Sequence, residues 1–315
     1  MQLLENKVIR IVEERGYFGT KYIPVVRQIV KYIEEYIKNN AKNEKDGWSL
    51  SIPNELTEKI DCVETLWINV KIVDSIEGFN STGGGGNTIR QQNKIVNGKL
   101  AFGKISIYGF SYEAELITRT VFNSLCHELN HLQEIYRKLL KKMSSMGTYK
   151  MIVDQNTIRN YKFSDDPGTD KIIHDVFYRL MFKNEFNALI NSVYGDLAGI
   201  NSTRKYFRLD IKSTQAYIIY NRLKKKLGLF SDDLLEDYEW KNIMKAYNYI
   251  AVDGAKHPSN INYFKKRFRE HVIYKLNQLI KGIGKIASFY YDSVEANDLI
   301  KNESIETINP VIKLN

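Results

Sequence analysis

The sequence predicts an α+β fold in which a small antiparallel sheet precedes one long helix and a mostly helical lobe follows it. Residues 112–142 contain neither proline nor glycine and repeat apolar residues at three- and four-residue steps, as an amphipathic helix does. Asn97-Gly98 lies between two apolar runs, which is typical of a β-hairpin. Helical patterns then dominate from residue 171 nearly to the end of the chain.

Length and composition predict one large or two modest domains. The chain has 315 residues, of which 43% are hydrophobic, enough for a sizeable core. We divide it into an N-terminal helical and β-rich part with an edge hairpin (1–110), a central part (111–200) and a helical C-terminal lobe (201–315), and 111–315 could form one unit. Two cysteines cannot build a disulfide framework for this length, so a reducing compartment is expected.

The net charge of +9 raises the question of a nucleic-acid partner. The densest basic clusters, at 137–142, 222–226 and 265–269, fall on helical patterns with interleaved apolar residues, which favours solvated helix faces. A nucleic-acid partner is therefore not favoured. No secretory signal or apolar run of eighteen residues is present, so we expect a cytoplasmic protein without a membrane partner. The composition, rich in Ile, Lys, Asn and Tyr, is typical of a low-GC bacterium or its phages.

The N-terminal part alternates helical and strand patterns. Apolar residues within 25–37 predict a helix, and residues 66–76 are a strand candidate. Four glycines at 83–86 lack the Lys-Ser/Thr of a phosphate-binding loop, so we interpret them as a flexible surface loop. Residues 88–96 and 99–108 are the expected arms of the hairpin.

The C-terminal part is expected to be almost entirely helical. After a loop-rich segment at 143–170, in which Asp166 and Asp170 are best explained as turn and helix-cap residues, the patterns predict a series of helices. The candidates are 171–194, 213–227, 232–250 and 260–279, with a shorter piece near 283–291.

One motif on the long helix carries recognisable chemistry. His127 and His131 are four residues apart, so they lie one turn apart on one helix face and can reach the same metal ion. Glu128, one step round the helix, can approach a metal-bound water without itself being a ligand, as a general base must. Ser111 is a plausible N-cap of this helix. A catalytic zinc usually takes three protein ligands, so one more is required.

The H-E-x-x-H motif resembles the zinc-binding core of the zincin metallopeptidases. Asn184-Glu185, followed by the small Ala188, resembles the glutamate-donating helix of the gluzincins, the thermolysin-like branch. The resemblance implies a zincin-like fold and a zinc ion held by His127, His131 and Glu185. Leu189 stands where that branch has an Asp that steadies a zinc histidine. The strand before the motif helix is often a substrate-binding edge strand in zincins, and an ordinary hairpin is the alternative.

The sequence contains other residues that could complete a zinc site. The metzincin pattern is excluded, because Glu134 and Arg137 occupy the positions of its glycine and third histidine. His174, on the same predicted helix as Glu185, is the second choice for the third ligand. Cys126 is expected to be a small buried residue rather than a ligand.

The function predicted from these residues is a zinc metallopeptidase that acts on a peptide or protein. Zinc would activate a water, with Glu128 as the general base. The oxyanion would also need a hydrogen-bond donor, and the sequence does not choose among its candidates, which include His257, His271 and Tyr194. The alternatives are a catalytically silent zincin-fold structural or assembly protein, which Leu189 favours, and, less favoured, a basic nucleic-acid-binding protein.

Overall fold

A computed structural model describes most of the chain. The described residues are 22–40, 48–72, 85–89, 95–109, 114–144, 155–199, 207–231, 234–250, 260–288, 290–291 and 293–305. Within these ranges the chain is mostly helical and contains one small mixed sheet, so the expected combination of helices and a sheet is confirmed. The predicted helix within 25–37 is confirmed as part of a longer one, whereas the proposed N-cap Ser111 and the donor candidate His257 lie outside the described residues.

The first part of the chain builds the sheet. Its elements are α1 (Ile23–Asn40), β1 (Trp48–Ser51), α2 (Asn54–Thr57), β2 (Val63–Ile72), β3 (Gly85–Ile89), β4 (Ile95–Val96) and β5 (Lys99–Gly109). The strand order is β1-β2-β5-β3, and β4 also pairs with β5. β2 and β5 are parallel, whereas the other pairs are antiparallel. The expectation of a purely antiparallel sheet is therefore wrong.

The predicted hairpin is confirmed at its turn but not at the edge of the sheet. Asn97 and Gly98 both have positive φ, 51° and 75°, as a two-residue hairpin turn requires. β4 has only two residues and β5 has eleven, so most of β5 is left for pairing with β2 and β3. The strand before the motif helix thus lies inside the sheet, and the edge-strand expectation is wrong.

The glycine run was expected to be a surface loop, and this is wrong for its second half. Gly85 and Gly86 begin β3 and pair with Tyr108 and Ile107 of β5. A glycine strand of this kind is weakly specified by sequence, because it offers no side chain to pack. The other two glycines lie outside the described residues.

The rest of the chain is helical. Its elements are α3 (Ala114–Ser144), α4 (Gln155–Arg159), α5 (Pro167–Asp175), a π-helical turn (Val176–Met181), α6 (Lys183–Gly199), α7 (Phe207–Lys212), α8 (Gln215–Lys225), a 3₁₀ turn (Leu227–Phe230), α9 (Asp237–Ile250), α10 (Ile261–Ala287) and α11 (Ser293–Glu303). Among these described helices, none is long and apolar enough to cross a membrane.

The single helix predicted over 171–194 is wrong, because the chain breaks at Phe182. The π-helical turn ends there, Phe182 takes an extended conformation (φ −75°, ψ 114°), and its N–H donates to the carbonyl of Phe177. A new helix, α6, begins at Lys183. Glu185 therefore lies in the first turn of a separate helix. Further on, α10 absorbs most of the shorter predicted piece, and α11 was not predicted.

The chain divides into two compact units, and the division falls within α6. The first unit comprises Met1–Gly147 and Asn187–Tyr206, and the second comprises Thr148–Phe186 and Phe207–Asn315. In the first, α3 packs on β5 and β3, and fully buried Leu125, Leu129 and Leu132 lie on this helix. In the second, aromatic rings form the core: Phe177, Phe230, Trp240, Phe264 and Phe268.

Candidate metal centre

The motif helix α3 is held closely against the sheet. A Cβ placed on Gly103 of β5 would lie 3.1 Å from Cδ1 of Leu132, so a glycine at this position allows the close approach. Val121, Leu125 and Leu129 are fully buried, as the apolar periodicity predicts. The same stretch also buries polar groups, which is unusual without a role for them: Asn123, Ser124, Glu128, Asn130 and Gln133.

The two motif histidines converge on one point. Their Nε2 atoms are 3.1 Å apart, and the rings meet edge to face with centroids 4.7 Å apart. Two nitrogen ligands of one tetrahedral zinc ion lie about 3.3 Å apart, given bonds of about 2.0–2.1 Å. Because an imidazole nitrogen without a proton is an acceptor only, two such atoms at this distance call for a shared proton or a cation between them. The pair is therefore spaced as metal ligands are.

Glu185 completes a group of three potential ligands. One ligand atom each from His127, His131 and Glu185 lies within 4.8 Å of the others, the only such group found among the described residues. Glu185 is 9% exposed, and both histidines are half-buried. Two imidazoles and one carboxylate are a set that can hold a metal ion, so the residues present fit such an ion.

The helix that carries Glu185 runs antiparallel to α3. The amide of Asn191 donates from Nδ2 to Oδ1 of Asn130, 2.6 Å away, and Asn187 donates to Glu134 Oε1 at 3.1 Å. At Gly195 the two helices are close together, since a Cβ added there would lie 3.3 Å from Cβ of Cys126. The contacts thus recur every four residues along both helices, which run in opposite directions. Together they form one continuous interface between the two helices, here called the helix seam.

Asn130 and Asn191 make this seam specific. Asn130 is fully buried, lies between the two histidines in sequence, and bonds to the helix that carries the third ligand. Sliding one helix past the other would leave both buried amides without this hydrogen bond, at a cost of about 1–3 kcal/mol for each unsatisfied group. The amide pair therefore favours one register of the ligand-bearing helices.

Glu128 is buried beside the ligands in the chain. It is 5% exposed and follows His127 directly, but it is not a member of the ligand group. A general base for a metal-bound water has to reach that water without coordinating the ion itself. The five motif residues lie on one regular helix, as the apolar periodicity predicts.

Cys126 is a buried thiol rather than a ligand or nucleophile. Burial raises the pKa of its thiol, and the negative charge of Asp196 raises it further, against an opposing effect of Arg27. The thiol therefore stays protonated at neutral pH in the absence of a metal ion, and a protonated thiol is not a nucleophile. Cys126 is also not a member of the ligand group found among the described residues. The expectation of a small buried residue is confirmed.

The structure does not bring His174 into the ligand group. Its Nε2 lies 3.5 Å from Oδ2 of Asp170, and its ring meets the Phe163 ring edge-on. Asp170 Oδ1 accepts the backbone N–H groups of Phe163 and Ser164, while Asp166 caps α5 by accepting from the N–H of Thr169. The turn and cap roles expected for the two aspartates are confirmed.

Other residues considered from sequence have structural surroundings of their own. Leu189 is 1% exposed, so an apolar side chain fills the position where the resemblance would place an orienting aspartate. His271 Nδ1 is hydrogen-bonded to the Tyr247 hydroxyl, and Tyr194 is fully buried. None of these three belongs to the ligand group found among the described residues.

Sequence reasoning missed the partners that hold the ligand helices together. Asn187, Asn191 and Gly195 recur at four-residue steps on α6, which is the signal that could have revealed a polar helix seam. The residues that could hold a metal ion are thus His127, His131 and Glu185. Comparison of the chain with protein-family models, curated protein sequences and solved structures finds no match.

Proposed function

We propose that the protein is a zinc-dependent peptidase in which His127, His131 and Glu185 hold the ion. The observation that carries the proposal is the convergence of these three side chains, with histidine Nε2 atoms 3.1 Å apart, next to the buried Glu128. Two histidines and one glutamate are a ligand set of catalytic zinc sites. Zinc bound there would polarise a substrate carbonyl and make water acidic enough to react near neutral pH.

The number of ligands supports a catalytic rather than a structural site. Structural zinc is almost always enclosed by four protein ligands, whereas catalytic zinc has three and keeps one position open. The group in the described part of the chain has three members, two of them half-buried. Three ligands leave room for water and substrate.

Glu128 is the residue that we assign to proton transfer. Its carboxylate would accept a proton from the attacking water and return it to the leaving amine, so that neither charge builds up in the transition state. Burial of the side chain keeps bulk water from competing for that proton. His127, His131 and Glu185 serve to position the ion and do not exchange protons in this scheme.

A β-strand edge near the motif helix supports a peptide as the substrate. β3 pairs with β5 on one side and with no other described strand, and α3 packs against both strands. An extended peptide can add to such an edge through main-chain hydrogen bonds without requiring a particular sequence. We therefore place the substrate along β3, not along β5.

The decisive experiment is Glu128→Gln, assayed with a quenched-fluorescence peptide library and by metal analysis. We expect cleavage to fall by about 10²–10⁴-fold, because the amide cannot accept the proton, while the metal content is unchanged. Glu35→Gln, the same change at an exposed position of α1, is the matched control and should cleave normally. Undiminished cleavage by Glu128→Gln would overturn the proposal.

A second candidate is a metal-binding structural or assembly protein without catalysis. Leu189 favours it, because this buried leucine leaves no carboxylate at the position that would steady a zinc histidine. This candidate predicts stoichiometric zinc and no cleavage of any peptide in the library, by either the unmodified chain or Glu128→Gln.

A further inference from the structure

One face of the sheet in the first unit carries exposed side chains. Side chains alternate along β2: Leu66, Ile68 and Val70 are buried, whereas Thr65, Trp67 and Lys71 are exposed. Trp67 is 53% exposed, a large value for an indole in the middle of a strand. A half-buried Asn69 lies between the tryptophan and the lysine on this same side.

The neighbouring strand extends this face. Trp67 lies opposite Lys104 of β5, and Thr65 lies opposite Phe102. The rings of Trp67 and Phe102 meet edge to face, with centroids 5.1 Å apart and planes at 83°. The contact with Phe102 thus holds the indole of Trp67 in place, and its exposed surface can serve as a platform for another flat ring.

The charged residues that the described part of β2 and β5 places on this face are lysines. Lys71 and Lys104 belong to it, and no carboxylate in the described part of the chain lies within ion-pair distance of either ammonium group. The only acidic residue of the five strands is Glu64, which accepts a hydrogen bond from Asn97 at the hairpin turn. The chain as a whole carries +9. The face is therefore complementary to a polyanion.

We propose that this sheet face, built on Trp67, Phe102, Lys71 and Lys104, binds single-stranded nucleic acid. An aromatic platform flanked by two lysines matches a ligand that alternates flat bases with phosphates. A duplex hides its base faces, so a single strand is the form that can stack on Trp67. The basic clusters on the helices, which we interpret as solvated helix faces, play no part in this proposal. The proposal is also independent of the peptidase proposal.

The first test is the affinity of the full-length protein for a fluorescein-labelled oligothymidylate of about 20 nucleotides, measured by anisotropy at low salt. Trp67→Ala should weaken binding about tenfold or more, because one stacked base is lost, and Trp67→Phe should weaken it less. Tyr263→Ala removes a similarly exposed ring (48%) from α10 and should bind as the unmodified protein does.

The second test is the salt dependence of binding. Replacing Lys71 and Lys104 together by alanine should reduce the slope of log affinity against log salt by about 1.4, since each phosphate contact to a single strand contributes about 0.7. The matched control replaces the exposed Lys241 and Lys245 of α9 and should leave the slope unchanged. The double variant at Lys71 and Lys104 also keeps the proposal testable if Trp67→Ala proves unstable.

Three results would overturn the proposal. One is a Trp67→Ala protein, folded by circular dichroism, that binds the oligonucleotide as tightly as the unmodified chain. Another is equal binding of heparin with the same dependence on every variant, which would mean attraction to any polyanion. The third is Trp67-dependent binding of a neutral oligosaccharide instead. Nucleic-acid binding should persist in Glu128→Gln. Failure of the peptidase proposal can therefore be told apart from failure of the nucleic-acid proposal.

Discussion

Glu185 owes its place to a single backbone feature, the extended conformation of Phe182. After that break a new helix begins at Lys183, two residues before the glutamate, so Glu185 lies in a first turn, where a carboxylate is favoured by the helix dipole. His174 lies before the break and is engaged with Asp170 and Phe163. The two candidate ligands therefore have different local environments, although the sequence placed them on one helix.

Metal analysis of two variants distinguishes these candidates. Glu185→Ala should lower zinc affinity by more than the about 10–100-fold typical of a lost indirect partner, because it removes a direct ligand. His174→Ala should retain full zinc content, since His174 is outside the ligand group. Loss of zinc from His174→Ala but not from Glu185→Ala would contradict the ligand set.

Glu303, at the end of α11, is a residue whose ionisation bears on stability. Its carboxylate accepts hydrogen bonds from Tyr217 (2.9 Å) and Lys224 (2.9 Å), and its carbonyl accepts from Tyr220 and Lys224. Burial raises the pKa of the carboxyl, but the hydrogen bonds from Lys224 and Tyr217 outweigh it and hold the pKa below its usual value. The ionised form thus stabilises the folded protein.

We expect Glu303→Gln to be less stable by about 1 kcal/mol at neutral pH, because the charge-assisted bonds are lost. The contribution of a carboxyl with a lowered pKa is present above its unfolded value of about 4.3 and is lost as the pH falls through the folded value. The difference from the unmodified protein should therefore shrink below about pH 4 in denaturant titrations. Asp298→Asn, an exposed position on the same helix, serves as control. A difference that stays constant down to about pH 3 would refute the assignment.

Among the helices, the antiparallel pair α3 and α6 positions the candidate site. Gly195 permits a close approach: an added Cβ would lie 2.9 Å from Cα of Asn123 and 3.3 Å from Cβ and Sγ of Cys126. A backbone atom at 2.9 Å cannot move aside as a flexible side chain can. The asparagine pair one turn along then sets the register. Close packing and a buried hydrogen bond thus act together on the ligand geometry.

Gly195→Ala should destabilise the protein by about 1–3 kcal/mol and weaken zinc binding, because the helices must separate. In an ordinary helix the same change would stabilise by up to about 1 kcal/mol, so the sign is diagnostic. Gly228→Ala, where a Cβ would meet nothing within 4 Å, should be neutral or slightly stabilising.

Gly284→Ala is a control that distinguishes a loss of stability from a loss of zinc affinity. Its Cβ would clash with Ile300 in the second unit, so unfolding should become easier while zinc affinity is kept. Calorimetric titration with zinc and thermal unfolding of all three variants give the comparison. Equal zinc affinity in Gly195→Ala and the unmodified protein would show that the helix approach does not position Glu185.

At the scale of the whole chain, we expect zinc binding to the ligand group to raise the stability of the folded protein. An ion that binds only the folded protein stabilises it by about 2.7 kcal/mol at a hundredfold excess over Kd, which corresponds to a rise of about 5–10 °C in Tm. Adding zinc to chelator-treated protein should produce this rise. His131→Ala should abolish it, and magnesium, which prefers oxygen ligands, should not reproduce it. An unchanged Tm with zinc would argue against a metal centre.

Much of the helical structure was predictable because its signals are local. The apolar repeat of α3, the Asn97-Gly98 turn and the capping aspartate of α5 each act within a few residues. The sheet was predicted less well. Parallel pairing of β2 with β5 and the entry of Gly85-Gly86 into β3 depend on partners distant in sequence, and a glycine strand carries no pattern of its own.

The candidate site divides in the same way. The spacing of His127, Glu128 and His131 follows from the 3.6-residue period of one helix, so the five-residue motif itself determined that two histidines share a face. Which third side chain joins them is a long-range matter. Only the tertiary structure decided for Glu185 over His174, because it depends on the break at Phe182 and on the antiparallel approach of α6. The open face around Trp67 likewise exists only once β2 and β5 pair, since neither strand alone brings its aromatic ring and the neighbouring lysine together.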